Sequence, residues 1–356
     1  MLVAGLVCAL ACRPAETPEQ AAPAASAAPT ASAPAGASQP VVAAPAAVSA
    51  APPDFAGLAS RMSPTVVSVV SSLPPESRRK GRRLRRGVGS GMVVRADGQV
   101  LTNHHVIAEA VSFAIEYADG TRVPARRIHA DPRLDLALIA PEVAQTGRVA
   151  APLSDRRPRP GEWVMAIGHP FGLGDTVTVG VISGLGRDHE DLGRPAELDP
   201  DGIWSFIQTD ASINHGNSGG PLVDLRGEVI GLTTAVRSDG QGVAFAVPAP
   251  MARKFLAEVW AHGRFRHARL GIDVVELDEG PGVRVMTVVA DGPGARGGLL
   301  PGDLLLTAND GPLQRVSELA YAGRLSGVGE PLRLQLQRGE ARLAVQVVPD
   351  EIPFDD

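Results

Sequence analysis

The sequence predicts an all-β fold, a barrel or a sandwich, followed by a small α+β domain. Three observations carry that expectation. Short runs rich in Val, Ile and Leu recur at Gly91 to Val94, Val111 to Tyr117, Leu136 to Ala140, Trp163 to Ile167, Thr176 to Ile182, Val229 to Thr234 and Gly242 to Val247, separated by Gly, Asp and Pro. Such spacing belongs to strands joined by turns and not to repeated βαβ units. Helical periodicity returns only at Pro250 to Trp260, before a Gly/His/Arg-rich hinge around Gly263, and the segment beyond is strand-rich again.

The chain opens on an apolar run, Leu2 to Ala11, too short to span a bilayer and of the length of a signal-peptide apolar region. Residues 1–12 are therefore expected to act as an export signal, which places the product in the periplasm or cell envelope, or outside the cell. The end of the run, Ala9-Leu10-Ala11-Cys12, resembles a bacterial lipoprotein processing site. Two outcomes follow: a membrane tether through a lipidated Cys12, or ordinary cleavage and release. Both cysteines, Cys8 and Cys12, lie in this segment, so the folded part is built without a disulfide or a thiolate metal site.

Residues 13–53 are almost entirely Ala, Pro, Ser, Thr and Gly, with too little apolar bulk to offset the entropy of ordering, and read as a disordered linker. Pattern begins near Asp54, where Phe55, Leu58, Ala59 and Met62 fall at helical spacing and Val66, Val67, Val69 and Val70 read as a buried strand. A basic run, Arg78, Arg79, Lys80, Arg82, Arg83, Arg85 and Arg86, lacks interleaved aromatics and reads as a solvated loop. The net charge of -5 on 356 residues gives no field that would draw in DNA or RNA, so nucleic acid is set aside as a partner. The first folded domain is expected at 54–260, a hinge at 261–267, the second domain at 268–349 and a tail at 350–356. Within the second domain the pattern predicts a helix at Val316 to Arg324 and a strand at Arg333 to Gln337.

Three motifs stand in the order His, Asp, Ser: Leu101-Thr102-Asn103-His104-His105-Val106, then Asp131-Pro132-Arg133-Leu134-Asp135-Leu136-Ala137-Leu138, then Asn214-His215-Gly216-Asn217-Ser218-Gly219-Gly220-Pro221. Together they supply the groups that acyl transfer from an amide requires. A serine hydroxyl is a poor nucleophile until an imidazole takes its proton, and the imidazole needs a carboxylate on its far nitrogen to hold one tautomer. The candidates are Ser218, His105 and Asp135. Asp131 reads instead as a turn residue before Pro132. The Gly-rich turn offers an oxyanion hole at Gly216, Asn217 and Ser218. The same turn fits the G-x-S-x-G elbow of α/β hydrolases, but no helix pattern follows it and the later histidines, His262 and His267, lie in the hinge. A zinc cluster of His104, His105, His169 and His215 lacks H-E-x-x-H or carboxylate spacing.

Through these motifs, with Gly89-Ser90-Gly91 and Ala166-Ile167-Gly168-His169-Pro170-Phe171-Gly172, the chain resembles the HtrA (Deg) family of serine proteases. The resemblance implies a chymotrypsin-like double β-barrel protease domain followed by a PDZ domain. It further implies an ATP-independent endopeptidase acting on unfolded or damaged proteins, with no metal or cofactor, and a homotrimer, or a multiple of one, built through the segment around Phe55. In proteases of this fold the base of the primary pocket corresponds to Ser212, which is not acidic; with Ala235, Val236 and Ala244 it implies a small apolar pocket and cleavage after aliphatic residues. Arg269-Leu270-Gly271-Ile272, Gly292 to Leu299, Pro301-Gly302-Asp303 and Asn309-Asp310-Gly311 resemble a PDZ domain, whose loop at Leu270, Gly271 and Ile272 would bind the carboxylate of C-terminal peptides. Two rival readings use the same folds without catalysis: a chaperone or peptide sensor, and a lipoprotein scaffold.

Overall fold

A computed structural model describes residues 52–74, 85–169, 175–193, 195, 198–199, 202, 204–214, 216–236 and 242–353. The export signal, Cys12, the linker and most of the basic run lie outside the described residues, as does His215. The first folded element is helix α1 (Phe55–Met62), capped by Asp54, whose Oδ1 accepts the Gly57 N–H at 2.8 Å. Six strands then close a barrel: β1 (Val66–Leu73), β2 (Arg85–Val93), β3 (Val100–Thr102), β4 (Ser112–Tyr117), β5 (Arg122–Asp131) and β6 (Leu136–Pro141). A one-turn helix, α2 (His104–Ile107), leaves β3 directly.

A second barrel is formed by β7 (Trp163–Gly168), β8 (Thr176–Arg187), β9 (Phe206–Thr209), β10 (Pro221–Asp224), β11 (Val229–Val236) and β12 (Ala244–Pro248). Closure resolves the choice between barrel and sandwich, because a closed sheet leaves no edge to pair elsewhere. Helix α3 (Ala249–His262) follows, with Pro250 in its first turn and Gly263 at φ 74 as the left-handed residue that ends it. Its Met251, Phe255, Leu256 and Val259 join an apolar core that includes Leu101 and Leu136 of the first barrel and Val229 and Leu232 of the second.

The C-terminal domain contains β13 (Ala268–Arg269), β14 (Ile272–Glu276), β15 (Val283–Val288), α4 (Pro293–Arg296), β16 (Leu304–Ala308), β17 (Gly311–Pro312), α5 (Val316–Ser326), β18 (Leu332–Arg338), β19 (Ala341–Val347) and β20 (Asp350–Glu351). Its sheet runs β14-β15-β16-β18-β19 with β17 on β16, so β14 is an edge strand, and α5 lies next to it. Two boundaries differ from the sequence expectation. The segment at 261–267 is no free hinge: α3 runs through His262, and Phe265 and His267 are buried. The tail is tied back, since β20 pairs with β13 and the Ile352 N–H donates to the His267 carbonyl at 2.8 Å.

Candidate active site

His105 is carried by α2, where the chain leaves the short strand β3, and Asp135 closes the turn between β5 and β6. That turn is a 3-10 helix, Pro132–Leu134, with Asp131 as its N-cap and Asp135 as its C-cap at φ 49, ψ 41. The left-handed conformation is uncommon for a residue with a side chain. It turns Asp135 so that the two ends of one carboxylate meet the same residue: Oδ1 accepts the His105 backbone N–H at 3.0 Å, and Oδ2 stands 2.9 Å from its Nδ1. Asp135 is 1% exposed, and a buried carboxylate needs every such donor. Thr234 on β11 supplies another through its hydroxyl on Oδ2, and Asn103 Nδ2 holds the Asp135 carbonyl at 2.9 Å.

Ser218 lies on the turn that enters β10, between the barrels, and lines the same cleft as His105, a cavity of about 640 Å³. The turn is stapled to both sheets. Ser90 of β2 donates its N–H to the Ser218 carbonyl at 2.8 Å, donates its hydroxyl to the Gly216 carbonyl, and accepts the His169 N–H at 2.8 Å. A Cβ on Gly219 would stand 2.1 Å from the Ser90 carbonyl, and one on Gly220 2.1 Å from the Ile167 carbonyl. Backbone packing therefore requires glycine at both positions after Ser218, and at Gly219 the φ of 86 requires it as well.

The structure separates the candidate oxyanion donors. Asn217 donates its N–H to the Asn214 carbonyl at 3.0 Å and so offers none to the cleft. The N–H groups of Gly216 and Ser218 have no acceptor among the described residues. Ser212, the expected pocket base, is exposed and is not among the residues that line this cleft, and its carbonyl accepts the Thr178 hydroxyl at 2.8 Å. Ile213, Asn214 and Thr234 line the cleft in its place, facing Val88, His104 and Val106. Ala244 is buried in the core of the second barrel, and the side chains of Ala235 and Val236 lie outside the described residues.

His104 shares the cleft; burial holds its imidazole below the ordinary histidine value, opposed by Asp135 and reinforced by His105. His169 pairs with Asp175 at 3.0 Å. Sequence reasoning missed Ser90, Asn103 and Thr234 as supports of the site, although the first two lie inside motifs it singled out. For Thr234 the available signal was weak: two adjacent hydroxyls, Thr233 and Thr234, in an otherwise apolar strand.

The trypsin-like peptidase domain family matches residues 89–232 and the PDZ domain family residues 268–348. The chain is 37% identical over 288 residues to the putative serine protease HhoB of Synechocystis sp., covering 76% of this chain and 68% of that protein. It is 33% identical over 350 residues to a probable periplasmic serine endoprotease DegP-like of Ectopseudomonas mendocina, covering 85% and 72%. The chain belongs to the HtrA family of serine proteases. Among solved structures, the HtrA-type protease AlgW with a tripeptide superposes at a TM-score of 0.64 with 32% identity, over 85% of this chain and 98% of that one. The protein is thus a serine endopeptidase with a chymotrypsin-like double barrel and a PDZ domain, and the chaperone and scaffold readings give way to the protease.

In the PDZ domain, Leu270 packs against Gly323 of α5 and its carbonyl accepts the Gly294 N–H at 2.8 Å. Gly271 adopts φ 66 and its carbonyl accepts the Val289 N–H at 2.9 Å, while Ile272 begins the edge strand β14. Leu270 and Gly271 form the connection between β13 and β14, Ile272 enters β14 directly after it, and α5 lies beside β14.

Proposed function

We propose that His105, Asp135 and Ser218 are the catalytic triad of this endopeptidase, and that it cuts unfolded or damaged proteins without ATP in the periplasm or cell envelope. The observation that carries the reading is the carboxylate of Asp135, clamped on both the backbone and the Nδ1 of His105 beside the cleft that Ser218 lines. With Nδ1 engaged as a donor to Asp135, the other ring nitrogen of His105 is the basic one, the tautomer needed to take the Ser218 proton and pass it to the leaving amine. The N–H groups of Gly216 and Ser218 are the oxyanion donors. The apolar wall at Ile213 favours small or medium aliphatic residues before the scissile bond.

The PDZ domain takes C-terminal peptides, which extend the sheet at the open edge of β14 with their carboxylate at Leu270, Gly271 and Ile272. Relatives solved with a decapeptide and a tripeptide support peptide ligands, and relatives named periplasmic endoproteases support the location. A homotrimer, or a multiple of it, would use the surface around Phe55, where Phe55 meets the edge of Trp163 at 5.8 Å and Trp163 stays 46% exposed. A lipidated Cys12 would tether the assembly to a membrane.

The test is casein cleavage by wild type beside Ser218→Ala, with fragment termini read by mass spectrometry. Loss of the nucleophile should lower turnover by about a million-fold while leaving folding and oligomer size unchanged. Retained cleavage by the variant would refute the triad.

A further inference from the structure

A chain of buried ionisable side chains runs from the PDZ domain to the turn that carries Asp135. Arg324 on α5, His267 in the connector and Asp131 at the end of β5 are 5%, 9% and 4% exposed. Arg324 Nε donates to His267 Nδ1 at 3.3 Å, and His267 Nε2 stands 2.7 Å from Asp131 Oδ2. A guanidinium can only donate. Nδ1 of His267 must therefore be the accepting nitrogen, Nε2 carries the proton, and that proton goes to Asp131. The direction of the whole chain is fixed: guanidinium to imidazole to carboxylate.

Asp131 has a second attachment. Its Oδ1 accepts the Leu134 N–H at 3.1 Å, as N-cap of the 3-10 turn that Asp135 ends. One carboxylate thus joins the PDZ helix, through His267, to the start of the turn that presents the proposed triad acid. The turn needs such support, because Asp135, which ends it, sits in a left-handed conformation that is unfavourable for a side-chain-bearing residue. The connector is held on β5 as well: the Phe265 N–H donates to His129 Nε2 at 3.2 Å, and the Phe265 ring meets that of His267 edge-on at 5.1 Å.

The chemistry argues for position over stability. Burial lowers the Arg324 guanidinium to about 10, Asp131 opposes that fall and Arg133 adds to it. Among the described residues its hydrogen-bond acceptor is His267 alone. Burying a cation with one acceptor contributes little to stability compared with an apolar side chain of the same volume, but it fixes what it touches. The charged and titratable groups around the chain are His129 and Arg127 on β5, Arg133 on the turn, Arg264 in the connector and His104 on α2.

We infer that Asp131, His267 and Arg324 are positioning residues of the protease, through which α5 of the PDZ domain seats the turn that holds Asp135. The inference rests on the reading of Asp135 as the triad acid. It is tested in the full chain on a fluorogenic peptide, with active sites counted by a fluorophosphonate label, in Arg324→Met, His267→Leu, His267→Gln and Asp135→Asn. Glutamine spans the same two partners, its amide oxygen accepting from Arg324 and its amide nitrogen donating to Asp131, and it does not titrate.

Arg324→Met and His267→Leu should lower kcat per labelled site by about 10-fold at unchanged KM, and shift the acid limb of the kcat/KM profile to lower pH by about half a unit, because a displaced carboxylate stabilises the imidazolium less. His267→Gln should restore both. A loss confined to the number of labelled sites, with the acid limb unmoved, would show a merely structural role and overturn the inference; so would a glutamine variant that behaves like leucine. If His267→Leu does not fold, Arg324→Met decides. Asp135→Asn separates the two readings: full activity there removes Asp135 from the triad, whereas a loss of about 10⁴-fold beside wild-type behaviour of the other variants sinks the positioning role alone.

Discussion

Asp135 collects the His105 N–H, the His105 ring and the Thr234 hydroxyl on its two carboxylate oxygens while almost fully buried. Each donor removed leaves an acceptor short in a place water does not reach, at a cost of about 1–3 kcal/mol. Thr234→Val keeps the volume and the strand propensity and deletes only the hydroxyl. The expected outcome is a fall in kcat of about 10-fold together with a melting temperature lowered by a few degrees, since the lost donor both leaves a buried acceptor short and loosens the hold of the carboxylate on the imidazole. Stopped assays on a peptide substrate, with thermal melts alongside, check both halves. At this scale the proposed triad was legible because its members sit in three local motifs, whose order and surrounding pattern set them apart from those of an α/β hydrolase. Thr234 was not, since nothing local tells a hydroxyl that caps a distant carboxylate from one that merely bonds within its strand. Ser212 rests on the resemblance alone, and the residues that line the cleft, Ile213, Asn214 and Thr234, come from segments that only the fold brings together.

Strands with a regular apolar repeat were legible, including β18 with its alternating Arg and Gln face, and those whose apolar repeat is broken were not. β5, Arg-Val-Pro-Ala-Arg-Arg-Ile-His-Ala-Asp, escaped because its exposed side is arginine and proline, yet it spans the barrel and delivers Asp131. Short β3 and β9 escaped for want of length. The staple between elements was equally hidden. Ser90, on β2, holds the Gly216 carbonyl and the His169 N–H with one buried hydroxyl. Ser90→Ala leaves both groups unpaired and should lower unfolding free energy by about 2–3 kcal/mol, read as a shift in urea midpoint at constant slope. Because the Gly216 N–H is the proposed oxyanion donor, kcat should fall as well. Gly219→Ala is more severe: its Cβ would meet the Ser90 carbonyl at 2.1 Å in a residue at φ 86, so the active-site turn should be displaced and fluorophosphonate labelling of Ser218 lost.

Two domains and their order were legible along the chain, but not how the second is held on the first, because that contact is made of residues scattered through both, with Tyr321 and Leu325 of α5 packed against the protease core and charges beside them. Arg315, at the N-terminus of α5, reaches Asp188 at 3.0 Å and Asp191 just after β8, and the Ile352 N–H, just past β20, donates to the His267 carbonyl of the connector. The carboxylates at such sites govern the response to acid. Burial pushes Asp191 up, but Arg315 and the Asp188 N–H outweigh it and hold it below the ordinary carboxylate value. Glu258 is likewise lowered by Arg266 and Lys254 against its burial, and Asp303 by Arg338 and the Leu300 N–H. A carboxylate whose folded pKa is depressed binds its proton more readily in the unfolded chain, so the stability it contributes is complete above the unfolded value and drains away as pH falls through the folded one. The melting temperature should therefore respond to these groups only below about pH 4, the ordinary carboxylate range, and then drop steeply. Arg315→Met removes the partner that lowers Asp191 and should flatten the acid limb of the melting curve, with less effect on stability at neutral pH, where an exposed ion pair is worth about 0–1 kcal/mol. Calorimetry from neutral to acid pH on both proteins checks it: parallel acid limbs would mean that the contact between the domains contributes nothing to the loss, and that Asp303 and Glu258, inside their own domains, carry it.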